Sequence, residues 1–246
     1  MFEFTISGSS DRNTIDYTYT LLKPAVEGFN GIIVITEEGC IKSVCLAVDN
    51  KNVFYIKSAI LDAISDSIIA VYKHEFLAEN ISICIRNNIA KDSFIKALVV
   101  FDRQTDKDLI IKSLVLDDNI NIDSFYSFRL HELKQRWTDI CNIVNESIPV
   151  LLKDKSVAEL TRYFINGTEN KTNEIHLFIS KNNIKLTIDN KPSDLIFNSE
   201  DCASDIVSEI ISLCPNKILV HGSLDNFKEL KNTLNSVFTD KIYVCD

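Results

Sequence analysis

Glycine and proline are scarce, at 6 and 4 of 246 residues. That excludes a collagen-like or proline-rich linker protein. It also leaves few positions for the glycine loops that cradle phosphates, and neither GxxxxGK[ST] nor GxGxxG occurs. HExxH, GxSxG and CxxC are absent as well, so neither a zinc protease nor a nucleophile-elbow hydrolase nor a cysteine zinc site is written in the chain. Histidine is limited to four positions and tryptophan to one. No run of about 18 apolar residues exists, and no membrane-spanning helix is expected. Basic residues number 26 against 35 acidic, a net charge of −9. A binder of duplex nucleic acid usually needs the opposite balance to displace counterions.

The remaining composition is that of a globular protein. Apolar residues make up 46% and charged residues 25%, enough to bury a core. The length suits one large domain or two small ones. Met1-Phe2-Glu3-Phe4 has neither a basic start nor an apolar core segment, so it does not read as a signal peptide, and a cytoplasmic place is expected. Most of the seven cysteines sit within apolar periods, as Cys141 does after Ile140, and read as small buried hydrophobes in a reducing compartment. No metal set and no cofactor are assigned.

Periodicity divides the chain into three parts. Residues 1–53 read as a mixed α/β region: Phe2, Phe4 and Ile6 alternate, a helix spans Asp11 to Ala25, and Gly31–Ile35 and Ile41–Val48 form a hairpin around Glu37-Glu38-Gly39. Residues 54–165 read as helical. Ile56, Ile60, Ile64, Ile68 and Val71 follow one stripe. Tyr126, Leu130, Leu133, Trp137, Ile140, Val144, Ile148 and Leu151 keep another for about seven turns, so Trp137 is expected in the core. Pro149 should kink that helix, and Ser156 with Glu159 reads as a capping box. The polar run 166–171 is the expected boundary. Residues 172–246 then form a small α/β domain, a hairpin (Ile175–Ile179 with Ile184–Ile188) followed by a strand, helix and strand in parallel crossover. The predicted class is α+β, with a helical centre between these two α/β parts.

Candidate site residues are few. His221 ends a buried strand just before Gly222-Ser223 and a helix start. Ligands collect at the carboxyl ends of parallel strands, and a helix N-terminus offers free amides to an anion. His221, Gly222, Ser223 and Asp225 are therefore the natural place for a small-molecule or anion site; a plain turn with Ser223 as N-cap is the alternative. Arg129, with Lys134 and Arg136, is the best basic cluster, but Glu132 and Asp139 interrupt it, and a solvated helix face explains it better than nucleic acid. No catalytic residue can be assigned.

Two segments carry a resemblance. Ile120-Asn121-Ile122-Asp123-Ser124-Phe125-Tyr126-Ser127-Phe128-Arg129-Leu130, with Leu160-Thr161-Arg162-Tyr163-Phe164-Ile165 downstream, is similar to a signature of the YtxC-type sporulation proteins of endospore-forming bacteria. Asp205 to His221, ending Cys214-Pro215-Asn216-Lys217-Ile218-Leu219-Val220-His221, followed by Thr233 to Phe238, resembles a second. The likeness spans about 54–245. Ser124 stands where the family usually has glycine. Cys245-Asp246 stands in place of the cysteine cluster with which the family often finishes, and no metal role is carried over. The resemblance implies a process, spore formation, and a cytosolic place. Together with the missing catalytic set it points to a non-catalytic binding or scaffold protein with a protein partner. An enzyme or nucleotide- or anion-binding protein using the His221 turn is the rival.

Overall fold

The computed structural model describes residues 1–82, 88–147, 154–169, 172–181, 183–189, 195–198 and 203–245. In chain order its elements are β1 (Phe2–Ser9), α1 (Thr14–Gly28), β2 (Ile32–Glu38), β3 (Ile41–Val48), α2 (Val53–Ser67), a π-helical turn (Ile68–Lys73), α3 (His74–Asn80), α4 (Asn88–Val100), α5 (Arg103–Ser113), β4 (Asn119–Asn121), α6 (Ile122–Arg129), α7 (His131–Ser147), α8 (Asp154–Asn166), β5 (Thr172–Ile179), β6 (Asn183–Ile188), β7 (Ile196–Asn198), α9 (Ala203–Leu213), β8 (Pro215–His221), α10 (Lys228–Val237) and β9 (Ile242–Cys245). The α+β class expected from the sequence is the class observed. No described helix is long and apolar enough to cross a membrane.

The chain forms two compact units, each drawn from two separate segments: 1–80 with 103–143, and 81–102 with 144–246. This differs from the division 1–53, 54–165 and 172–246. Within the expected helical region, α4 and α8 belong with the C-terminal sheet, and the rest builds on the N-terminal one. A reading that seeks one polar break per domain cannot see a chain that alternates between two cores.

The first unit is built on a sheet of order β2-β3-β1-β4. Phe4 and Ile6 of β1 and Val44, Leu46 and Val48 of β3 are buried on one face, as strand alternation requires. α1 lies against that sheet and α2, burying Ile15, Leu22 and Val26. β4 was not read from the sequence. Its three residues run parallel to Thr5–Ser7 of β1, too short to show a period. α6 follows directly, with Asn121 accepting the Ser124 amide at 2.9 Å as N-cap.

The long helix expected from Tyr126 onward is two helices. The chain breaks at Leu130 (φ −102°, ψ 42°) between α6 and α7, yet the apolar stripe continues: Leu130, Leu133, Trp137 and Val144 are buried, with Cys141 buried in place of the expected Ile140, which is half-buried. Periodicity reports the buried face and is blind to a break that preserves it. Pro149, Ile148 and Leu151 lie outside the described residues. Ser156 falls inside α8 and starts no helix.

The second unit packs α4, α8, α9 and α10 against a sheet of order β7-β6-β5-β8-β9. β5 and β6 form the expected antiparallel hairpin, and β5, β8 and β9 run parallel. Ile175, Leu177, Ile184, Leu186, Ile218 and Val220 point to the helices and are buried. The alternate residues point to the other face.

Candidate functional site

Gly222, Ser223 and Asp225 follow the carboxyl end of β8 and line a hollow of about 520 Å³, walled by Val220, Leu224, Leu234, Ile242 and Val244, with Lys231 and Asn235 at its polar side. Gly222 has φ +98°, and a Cβ there would come 3.0 Å from the Ile179 carbonyl, so glycine is required. Ser223 caps no helix. α10 begins at Lys228 after Phe227, and the Ser223 hydroxyl instead accepts the Asp225 amide at 3.2 Å, closing a local turn. Asp225 also takes Lys231 at 2.8 Å, which holds its carboxyl below the ordinary range.

His221 does not share this hollow. Val220 points into the core, so alternation turns His221 to the opposite face. There its Nε2 lies 2.9 Å from Nδ1 of His176. Phe178, its register partner, stacks on it at 4.5 Å with ring planes 10° apart. The Glu174 carboxylate stands 3.4 Å from His176 Nε2. The same face carries Leu219, Tyr243, Lys185 and Lys217 by register. The sequence places both histidines on strands of the C-terminal domain, but their contact depends on a cross-strand register (His176 opposite Leu219, Phe178 opposite His221) that no single strand encodes.

Arg129 belongs to the first unit. It ends α6 and lines a separate hollow of about 460 Å³ with Asp117, Asn121, Ser124 and Phe128. The basic trio does not form a patch: Lys134 donates to the Ser127 carbonyl at 2.9 Å and covers the Tyr126 ring, while Arg136 approaches Asp106 at 3.5 Å.

Two polar clusters of the first unit escaped sequence reading. In one, Asp123 accepts from the Ser9 amide (2.7 Å), the Arg12 guanidinium (2.8 Å) and the Tyr72 hydroxyl (2.7 Å). Arg12 also reaches Glu75 at 3.0 Å and lies over the Tyr72 ring. Burial works against the Asp123 charge, but these three donors outweigh it and hold its pKa below the ordinary value. In the other, Lys73 donates to Asp106 Oδ2 at 2.6 Å with side chains 0% and 1% exposed. Asp106 Oδ1 lies 3.5 Å from Arg136 Nε, and the Trp137 indole stands beside the same carboxylate. Burial pushes the Lys73 ammonium down and the Asp106 carboxyl up from their usual values, against their mutual attraction.

The π-turn explains why Lys73 was overlooked. Ile68–Lys73 inserts extra residue per turn and shifts the stripe's phase. Tyr72 and Lys73 come inward, whereas Val71, expected on the stripe, is half-buried. Among the described residues, no group of three or more His, Cys, Asp or Glu is placed to hold a metal ion.

Asp123 gives a pH-dependent expectation. A depressed carboxyl contributes stability that is complete above its unfolded pKa, about 3.9, and is lost as pH falls through the folded value. Asp123→Asn should therefore lower the urea midpoint at neutral pH, and the gap from wild type should close below about pH 4. A gap independent of pH would show that the charge is not what matters.

The architecture is that of an α+β protein with a strand-end hollow and a separate aromatic sheet face. A family model described as the YtxC-like family matches residues 54–243, and the chain belongs to that family. No curated protein and no solved structure matches it. The match begins at α2, yet β1 supplies the partner strand of β4, and Ser9 and Arg12 hold Asp123. Residues before 54 are thus part of the same folded unit as the family's first signature.

Proposed function

We propose that this chain serves spore formation in the cytoplasm as a non-catalytic binding protein, meeting a protein partner on the open face of its second sheet. Family membership supports the process. The observation that carries the binding role is the cluster of parallel rings His176, Phe178 and His221 beside Leu219 and Tyr243, with Phe178 and Tyr243 42% and 49% exposed. Aromatic side chains held in place by neighbours lose little freedom on docking and dominate interfaces. Lys185 and Lys217, both exposed, border the rings. They favour a partner with an apolar centre and acidic rim.

The ionisable clusters of the first unit are spent on one another, as Lys73 is on Asp106 and Arg12 on Asp123 and Glu75. They read as internal architecture. A photo-crosslinking residue in place of Tyr243 should give one discrete adduct in sporulating cells, and the same residue in place of the exposed Tyr163 should give none. Equal or absent adducts would remove the support for this face.

A second reading is favoured by the hollow at Gly222, Ser223 and Asp225. It lies where parallel strands place small ligands, with the Lys231–Asp225 pair at its polar side. On that reading His221 takes no part in the site.

A further inference from the structure

We infer that β2 is a pairing edge for a second copy of this chain, the two β2 strands joining antiparallel about Val34. β2 is the outer strand of the first sheet. Its first five residues, Ile32-Ile33-Val34-Ile35-Thr36, carry no charge, and Ile32 and Val34 are 68% and 45% exposed. Natural edges are usually blunted by lysine, proline, a bulge or a covering element. β2 contains neither lysine nor proline, and its pairing with β3 is continuous from Ile32 to Glu38.

The edge has a defined set of unpaired groups. Glu38 and Ile41 close a two-residue turn, with Gly39 at φ +62°. Such a closing pair exchanges its hydrogen bonds across the hairpin. By alternation, Ile32, Val34 and Thr36 direct their backbone groups to β3, and Ile33, Ile35 and Glu37 direct theirs to the open side. Two copies placed about a two-fold axis at Val34 set Ile33 opposite the partner's Ile35, so these residues exchange backbone hydrogen bonds in both directions.

The side chains fit the same register. Ile32 meets the partner's Thr36. Glu37 falls opposite Gly31 and Glu38 opposite Asn30, so no carboxylate meets its own copy. Ile33 and Ile35 share the face of the buried Val44 and Leu46 but are only half-buried at the edge; the partner's pair would complete that cover. An isologous contact of this kind needs one self-complementary surface, and here apolar side chains meet apolar or uncharged ones and no two carboxylates face each other. The inference is independent of the aromatic face proposed above.

The test is sedimentation of the purified full chain across micromolar concentrations. Wild type should sediment as a dimer. Val34→Lys, which sets two ammonium groups together on the axis, should weaken dimerisation by about tenfold or more while the circular dichroism melt stays in place. Val244→Lys, on the edge strand β9 of the second sheet, should leave the dimer intact. Should Val34→Lys disturb folding, Val34→Cys gives a separate readout. Cα atoms of a non-hydrogen-bonded antiparallel pair lie about 4.5 Å apart, so oxidation should link residue 34 of one copy to residue 34 of the other, identified by peptide mass. A wild type that stays monomeric, a dimer indifferent to Val34→Lys in the folded protein, or a linkage that never forms would each overturn the inference.

Discussion

Asp106→Ala should destabilise the protein by about 3–5 kcal/mol, the usual cost of breaking a buried ion pair from one side. Lys73 and Asp106 are almost wholly removed from solvent. Without its carboxylate the ammonium must either stay charged in a poor dielectric or give up its proton. Their attraction is therefore weak evidence that the pair adds stability over an apolar pair, and the two cases separate experimentally. Lys73→Met combined with Asp106→Leu should recover most of the loss, because it removes both desolvated charges at once. Urea unfolding followed through Trp137, the sole tryptophan, reports on this unit. A single-variant loss below about 1 kcal/mol would mean that the site relaxes to admit water.

Trp137→Ala should cost about 3–5 kcal/mol, the range for a large aromatic in a core. Trp137 is fully buried and packs on Phe76 (5.7 Å) and Tyr126 (6.1 Å). Its removal opens a cavity among rings that have no room to collapse, since Tyr126 is itself fixed on Tyr72 at 4.4 Å. The indole also faces Asp106, so this change and Asp106→Ala share a neighbourhood and should not add. Circular dichroism must follow this unfolding, the fluorescent reporter being gone. A loss below about 1 kcal/mol would show that the stripe through α7 does not hold the core.

What could be read from sequence and what could not divide along physical lines. Local periods were sufficient for β1, the β2–β3 hairpin, the β5–β6 hairpin, the β8–α10–β9 crossover and the burial of Trp137, because each depends on residues close in the chain. β4 escaped because three residues carry no period. The break at Leu130 escaped because the stripe crosses it without a change of face. Lys73 escaped because a π-turn shifts the phase by which buried positions are counted. The two-unit organisation escaped because α4 and α8 join their core through contacts distant in sequence.

The turn of Gly222, Ser223 and Asp225 after β8 was legible because strand ends and turns are local signals. Grouping His221 with them failed on one point: a strand alternates, and the residue before a turn need not share a face with the turn. Asp123 lay within the first signature, but its partners Ser9 and Arg12 come from one distant segment and Tyr72 from another, and nothing in the spacing joins them.

The central claim is that function resides in a binding face rather than in the strand-end hollow. Spore counts from cells carrying altered copies decide it most directly. Phe178→Ser with Tyr243→Ser removes two exposed rings from the face. Asn235→Trp, at an exposed position, fills the hollow. With normal protein levels in each strain, the account predicts that the ring variant loses spores and the filled-hollow variant sporulates as wild type; normal sporulation without the rings, with failure on filling the hollow, would contradict it.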